Sequence, residues 1–192
     1  MFQESITKEE LEDLPQKAFD GEITVVDNYG LLKEAVDYLN QSEILGFDTE
    51  TKPSFKRGQI NKVALLQLSN ADRAFLFQLH KVGLPDELKT ILSNPQIQKV
   101  GVAIRDDIKA LQRLSNFKPF GFVELQEKVK GFGIQDFSLK KIAGIVLGVR
   151  ISKSQRLTNW ESDVLSGGQQ TYAATDAWVA HEIFQSLIEA QS

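Results

Sequence analysis

A mixed α/β sheet with helices on both faces is the fold class this sequence predicts, and three observations carry it. Three strand candidates follow one another with only turn and loop residues between them: Ile44 to Thr51, Val63 to Leu68 and Ala74 to Phe77. That order predicts an antiparallel meander. After the meander, strands alternate with helices, which adds parallel strands to one sheet and covers both of its faces. Finally, no repeat, low-complexity stretch or Gly/Ser-rich linker divides the 192 residues, and a hydrophobic fraction of 42% suffices for one sizeable core.

The elements follow in order. Thr7 with Glu10 three residues later marks a helix start, so residues 1–22 read as an appended helical arm ahead of a single domain over residues 23–192. Ile23-Thr24-Val25-Val26 is a short strand, and Leu31, Leu32, Ala35, Val36 and Leu39 repeat at helical spacing after it. Beyond the meander come a helix over Leu84 to Leu92, with His80 in the loop before it, a strand over Lys99 to Ala103, and a helix over Ile104 to Leu114. Phe122 to Leu125 is a last strand. From Ser138 onward the chain reads as helical, ending in a long helix over roughly residues 169–190.

Composition removes several function classes. The absence of cysteine excludes disulfides, thiolate metal sites and cysteine nucleophiles. The N-terminus has neither the basic region nor the apolar core of a signal peptide, and no apolar run approaches the roughly 20 residues of a membrane span. A soluble, cytoplasmic protein is therefore expected. The net charge of −4 is unevenly spread: residues 1–22 carry seven acids against Lys8 and Lys17, a net of −5, which leaves +1 for the rest. Overall acidity is thus a poor argument against a polyanionic substrate.

The sharpest local feature is Phe47-Asp48-Thr49-Glu50-Thr51. Side chains alternate along a strand, so Asp48 and Glu50 point the same way, one pleat apart, on an apolar flank. Such a pair repels itself, and a divalent cation is the commonest remedy. Two further acidic groups stand later in the chain. Asp106 and Asp107 open a helix, where they either complement the macrodipole or serve as ligands at a strand end. Tyr172 and Asp176 lie four apart on one helix face, a pattern that in isolation reads as a half-buried aromatic and a solvated charge.

Taken together, the three clusters resemble the motifs of the DEDD superfamily of 3′–5′ exonucleases, in the branch of ribonuclease D and the Werner-syndrome exonuclease domain. The matching stretches are Phe47 to Glu50, Gly101 to Leu111, and Tyr172 to Ala177. The likeness extends through Arg57-Gly58, Lys62 to Leu68, Phe122 to Leu125 and Asn159-Trp160, and covers essentially residues 23–190 in the family's order. It implies a ribonuclease H-like fold. It also implies Asp48, Glu50, Asp107 and Asp176 as the metal-binding quartet, with Asp107 rather than Asp106 as the second-motif acid. Tyr172 matches the tyrosine that positions the attacking water, which marks the tyrosine subclass. His181 follows Asp176 by five positions, roughly 140° round the helix, and does not suit the histidine subclass. Both histidines read as surface or locally hydrogen-bonded.

The implied activity is two-metal phosphodiester hydrolysis from the 3′ end, releasing nucleoside 5′-monophosphates, with two ions of Mg²⁺ or Mn²⁺. The implied substrate is single-stranded or 3′-recessed nucleic acid, DNA ahead of RNA on the Werner-like flanks. Thr49 and Leu65 face the terminal nucleotide in this reading. Among the basic residues near the motifs, Arg57 and Arg156 are candidates to track phosphates. Trp160 is either a stacking face for a base or a structural anchor. Two rival classes remain: a catalytically weak nucleic-acid-binding module on the same fold, and an aspartyl phosphatase. The phosphatase would need a second aspartate where Glu50 stands and gives Tyr172 no role.

Overall fold

The computed structural model describes residues 2–53 and 61–191. Six strands form one sheet: β1 (Glu22–Val26), β2 (Ile44–Thr51), β3 (Val63–Ser69), β4 (Arg73–Gln78), β5 (Gln98–Gly101) and β6 (Phe122–Glu124), in spatial order β1-β4-β3-β2-β5-β6. The expected meander is present, with β3 antiparallel to both β2 and β4, while β1, β5 and β6 add in parallel at the two edges. All seven residues of β3 are buried. A strand buried on both faces and mostly apolar, with Gln67 and Ser69 the polar exceptions, is what a sheet covered on both sides requires.

The helices are α1 (Lys8–Asp13), α2 (Tyr29–Leu39), α3 (Leu79–Val82), α4 (Asp86–Leu92), α5 (Arg105–Leu114), α6 (Leu125–Lys130), α7 (Leu139–Leu147) and α8 (Gly167–Glu189). They split the core in two. On one face, Leu45, Phe47, Leu66, Leu68, Phe75 and Phe77 pack with the apolar stripes of α2 and α4. On the other, Leu65 and Leu76 pack with Ala173, Val179 and Ile183 of α8. α8 opens two residues earlier than expected because Ser166 and Gln169 form a capping box. No helix among the described residues is long and apolar enough to cross a membrane.

β2 and α8 approach each other closely. A Cβ built at Gly46 would sit 1.7 Å from the carbonyl oxygen of Ala177, so only glycine lets the helix lie this close to the strand. Gly46 thereby identifies the α8 face of β2, and Asp48 and Glu50, two and four residues on, share it.

Several elements depart from expectation. His80 lies in α3, not in a loop, and α4 begins at Asp86 because Pro85 suits the position just before a helix. α6 follows β6 directly and was not anticipated. Of the two readings of the histidines, His181 takes the local hydrogen bond: it is buried, with Nδ1 3.0 Å from Glu182 Oε1. The N-terminal arm is packed against the body: Ile6 and Leu11 are buried, and the Ile6 N–H donates to Asp136 at 2.9 Å. Arg150 Nε donates to the Leu14 carbonyl. Further along, the Phe19 N–H donates to Thr175 Oγ1 at 3.0 Å, and the Phe19 ring meets Trp178.

Candidate active site

The strand-to-helix crossing concentrates charge. Carboxylate oxygens of Asp48, Glu50 and Asp176 all lie within 4.8 Å of one another. Burial pushes Asp48 well above the ordinary carboxylate range, and the charges of Asp176, Glu50 and Asp107 add to it. Burial, then Asp176 and Asp107, lift Glu50 to about 8, with Arg156 pulling the other way. Burial also lifts Asp176 to about 7, opposed by a hydrogen bond from Tyr172 and by the charge of Lys153. The Tyr172 phenol is raised by burial first, and by Asp176 and Glu50 next. Like charges held this close favour protonation, or a cation that substitutes for the protons.

Asp107 is held differently. It occupies the first turn of α5, and Thr49 Oγ1, from the opposite face of β2, donates to its Oδ1 at 2.5 Å. It stands outside the three-carboxylate group, though its charge reaches Asp48 and Glu50. Asp106 is 94% exposed and pairs with Lys109 at 3.7 Å, away from the site.

A cavity of about 310 Å³ opens over the crossing, lined by Asp48, Tyr172 and Asp176 on one side and by Ala103, Gln126 and Lys153 among others. In the sequence Lys153 is one of a run of basic residues before Trp160 able to track phosphates, with nothing to set it apart from Lys140, Lys141 or Arg150. Its signal was only its place in an exposed Ser/Lys stretch between two helices. Arg156 is exposed and its charge reaches Glu50. Other basic residues are engaged elsewhere: Lys52 pairs with Glu161 at 3.2 Å and Lys141 with Asp136 at 2.7 Å. Arg57, with Phe55 and Lys56, lies outside the described residues.

Two expected nucleotide contacts do not have the needed surface. Leu65 and Trp160 are both fully buried. Leu65 belongs to a central strand under α8, and Trp160 packs against the Tyr172 ring at 5.9 Å. Trp160 is therefore the anchor of the segment that carries Lys153 and Arg156, and its ring offers no free face for stacking. Gln78 and Gln169 hold that segment too, through Nε2 bonds to the carbonyls of Ser162 and Asn159. Gln67, directly opposite Asp48 in the β2–β3 register, is fully buried, and neither of its amide atoms has a partner among the described residues.

The donor set consists of oxygens alone, crowded, buried and mutually repelling, and this fits a hard divalent cation. A six-stranded mixed sheet, with carboxylates gathered where a strand meets a long helix, defines the class: an α/β nuclease-type domain. Comparison with known proteins makes this specific. The 3′-5′ exonuclease family profile matches residues 23–190, and the chain belongs to that family, of the DEDD type. It is 34% identical over 195 residues to the bifunctional 3′-5′ exonuclease/ATP-dependent helicase WRN of Mus musculus, covering 95% of this chain and 14% of that protein. It is 32% identical over 161 residues to exonuclease 3′-5′ domain-containing protein 2 of Drosophila melanogaster, covering 82% and 27%. The chain thus spans well under a third of either curated relative. Among solved structures, the Aedes aegypti Nibbler EXO domain has a TM-score of 0.78 at 20% identity, over 90% of this chain and 91% of that one. Escherichia coli RNase D also has a TM-score of 0.78, at 21% identity, over 88% and 44%. These likenesses establish the ribonuclease H-like fold.

Proposed function

We propose that this protein is a metal-dependent 3′–5′ exonuclease that hydrolyses the terminal phosphodiester of a nucleic-acid strand and releases nucleoside 5′-monophosphates. The observation that carries the reading is the convergence of Asp48, Glu50 and Asp176, with Tyr172 one turn before Asp176 in α8 and lining the same cavity. Asp48, Glu50 and Asp176, with Asp107 beside them, would hold two ions of Mg²⁺ or Mn²⁺, whose chemistry is to activate water and neutralise the departing 3′-oxygen.

The chain's own groups do the rest. Tyr172 donates its O–H toward the site from the same helix face as Asp176, so it can orient a water in line with the scissile phosphate. Lys153 and Arg156 offset phosphate charge entering a cavity whose floor is anionic. Thr49 fixes the Asp107 carboxylate. The Werner-like flanks of the motifs are the ground for placing DNA ahead of RNA as the substrate. A merely binding module is disfavoured because the four carboxylates and Tyr172 are all present, at a like-charge cost that binding alone does not need.

Matched 5′-labelled DNA and RNA oligonucleotides, with free or blocked 3′ ends, are incubated with Mn²⁺ or Mg²⁺ and read by product length. Stepwise shortening of free 3′ ends, faster on DNA, is the expected outcome. Binding with no shortening in either metal would overturn the catalytic reading, and equal or faster shortening of RNA the substrate preference.

A further inference from the structure

Glu124 ends β6 in parallel register beside Gly101, the last residue of β5. Its carboxylate accepts three backbone N–H groups: Oε1 from Ala103 at 2.9 Å and Gln126 at 3.2 Å, Oε2 from Ile104 at 2.9 Å. Ala103 and Gln126 both line the cavity over the carboxylates. Ala103 has φ of 58°, the one positive-φ non-glycine among the described residues. A residue with a Cβ disfavours that conformation, and it persists only where its surroundings impose it. Ile104, which caps α5, has no side-chain cap of its own, so Glu124 supplies both the acceptor and the negative charge that the helix start lacks. Asp107 stands three residues further, in the turn whose origin is thereby set.

We propose that Glu124 is a positioning residue for the cation site: by clamping the left-handed turn at Ala103 and the start of α5, it holds Asp107 beside the β2–α8 carboxylates. The proposal rests on the reading of that cluster as a metal site. A simple cap on α6 does not account for the geometry, because the two shorter bonds go to the α5 entrance and the longest to Gln126. Glu124 acts through Asp107, the one carboxylate of the four that accepts a threonine hydroxyl and stands outside the group formed by the other three.

The test is Mn²⁺ binding to metal-free protein followed by electron paramagnetic resonance, alongside turnover and thermal melting. Glu124→Gln keeps the shape but turns an N–H toward one of the backbone donors. It is expected to weaken Mn²⁺ binding about 10-fold or more, the usual cost of losing a group that orients a ligand, and to lower kcat more than it raises KM. The metal-free melting temperature should stay near that of wild type, Glu124→Asp should recover part of the affinity, and Glu124→Gln should add nothing in an Asp107→Asn background. Normal Mn²⁺ binding by Glu124→Gln would overturn the positioning role, as would an effect that persists fully in the Asp107→Asn background. Loss of folding in both Glu124 variants would overturn it too, making Glu124 a residue of the fold. A wild-type protein that binds no Mn²⁺ would instead overturn the metal-site reading itself.

Discussion

Along β2, neighbouring side chains enter two opposed environments. Leu45 and Phe47 point into the core shared with α2 and α4, where they are fully buried among aliphatic and aromatic groups. Gly46, Asp48 and Glu50 point under α8, where the strand has given up a side chain for closeness and gathered charges that repel. One face supplies free energy to the fold and the other spends part of it. The alternation of a single strand thus sets its apolar packing apart from its charge cluster within a few ångströms, with Thr49 the exception, since its hydroxyl reaches Asp107 from the packing face. It also makes substitutions on the two faces informative as a pair.

The largest expected effect is Asp48→Asn, which should abolish turnover while raising the melting temperature of the metal-free protein, since a buried carboxyl that must either repel its neighbours or keep a proton is gone. Relief of about 1 kcal/mol would appear as roughly 2–4 °C in a chain of this size. Retained turnover would break the division between the faces. Leu45→Ala should do the reverse: a loss of about 2–5 kcal/mol of stability in denaturant titration, the cost of a buried leucine truncation. Its kcat, measured well below its melting point, should be close to wild type. A collapse of kcat in the folded variant would show the two faces to be coupled.

The smallest expected effect is a pH dependence set mainly by the α8 face. Glu50 at about 8 and Asp176 at about 7 lie above their ordinary values, chiefly through burial. The folded, metal-free protein therefore keeps protons that the unfolded chain would release. The associated stability is fully present below the ordinary carboxylate range and is lost as pH rises through 7 to 8. Melting in EDTA should fall by at least roughly 2–4 °C from about pH 6 to about pH 8.5. Saturating Mn²⁺ should remove most of that fall. A flat profile in EDTA would mean that the carboxylates are better solvated than their burial implies.

The features readable from sequence were those written in short-range periodicity. The meander followed from three apolar runs separated by turn residues, and the shared face of Asp48 and Glu50 followed from alternation alone. Features that depend on distant segments were not readable. The clamp by Glu124 requires β5 and β6 to pair in parallel and an alanine to adopt a glycine-like turn, and no local pattern announces either. Lys153 looked like its basic neighbours because only the packing of Trp160 against Tyr172 brings its segment over the cavity. The same packing buries the tryptophan that composition alone offered as a platform for bases. α3 and α6 are too short, at four and six residues, for a helical period to show.

The bond from the Phe19 N–H to Thr175 has a bearing on where this protein can be cut. The stretch matched by the family begins at residue 23, yet Phe19 is anchored to the residue immediately before Asp176 and shields the ring of Trp178. A fragment trimmed to the family's borders would remove that lid and wet the helix turn that presents a site carboxylate. The smallest piece able to keep its native interior is therefore larger than the stretch that the family profile matches.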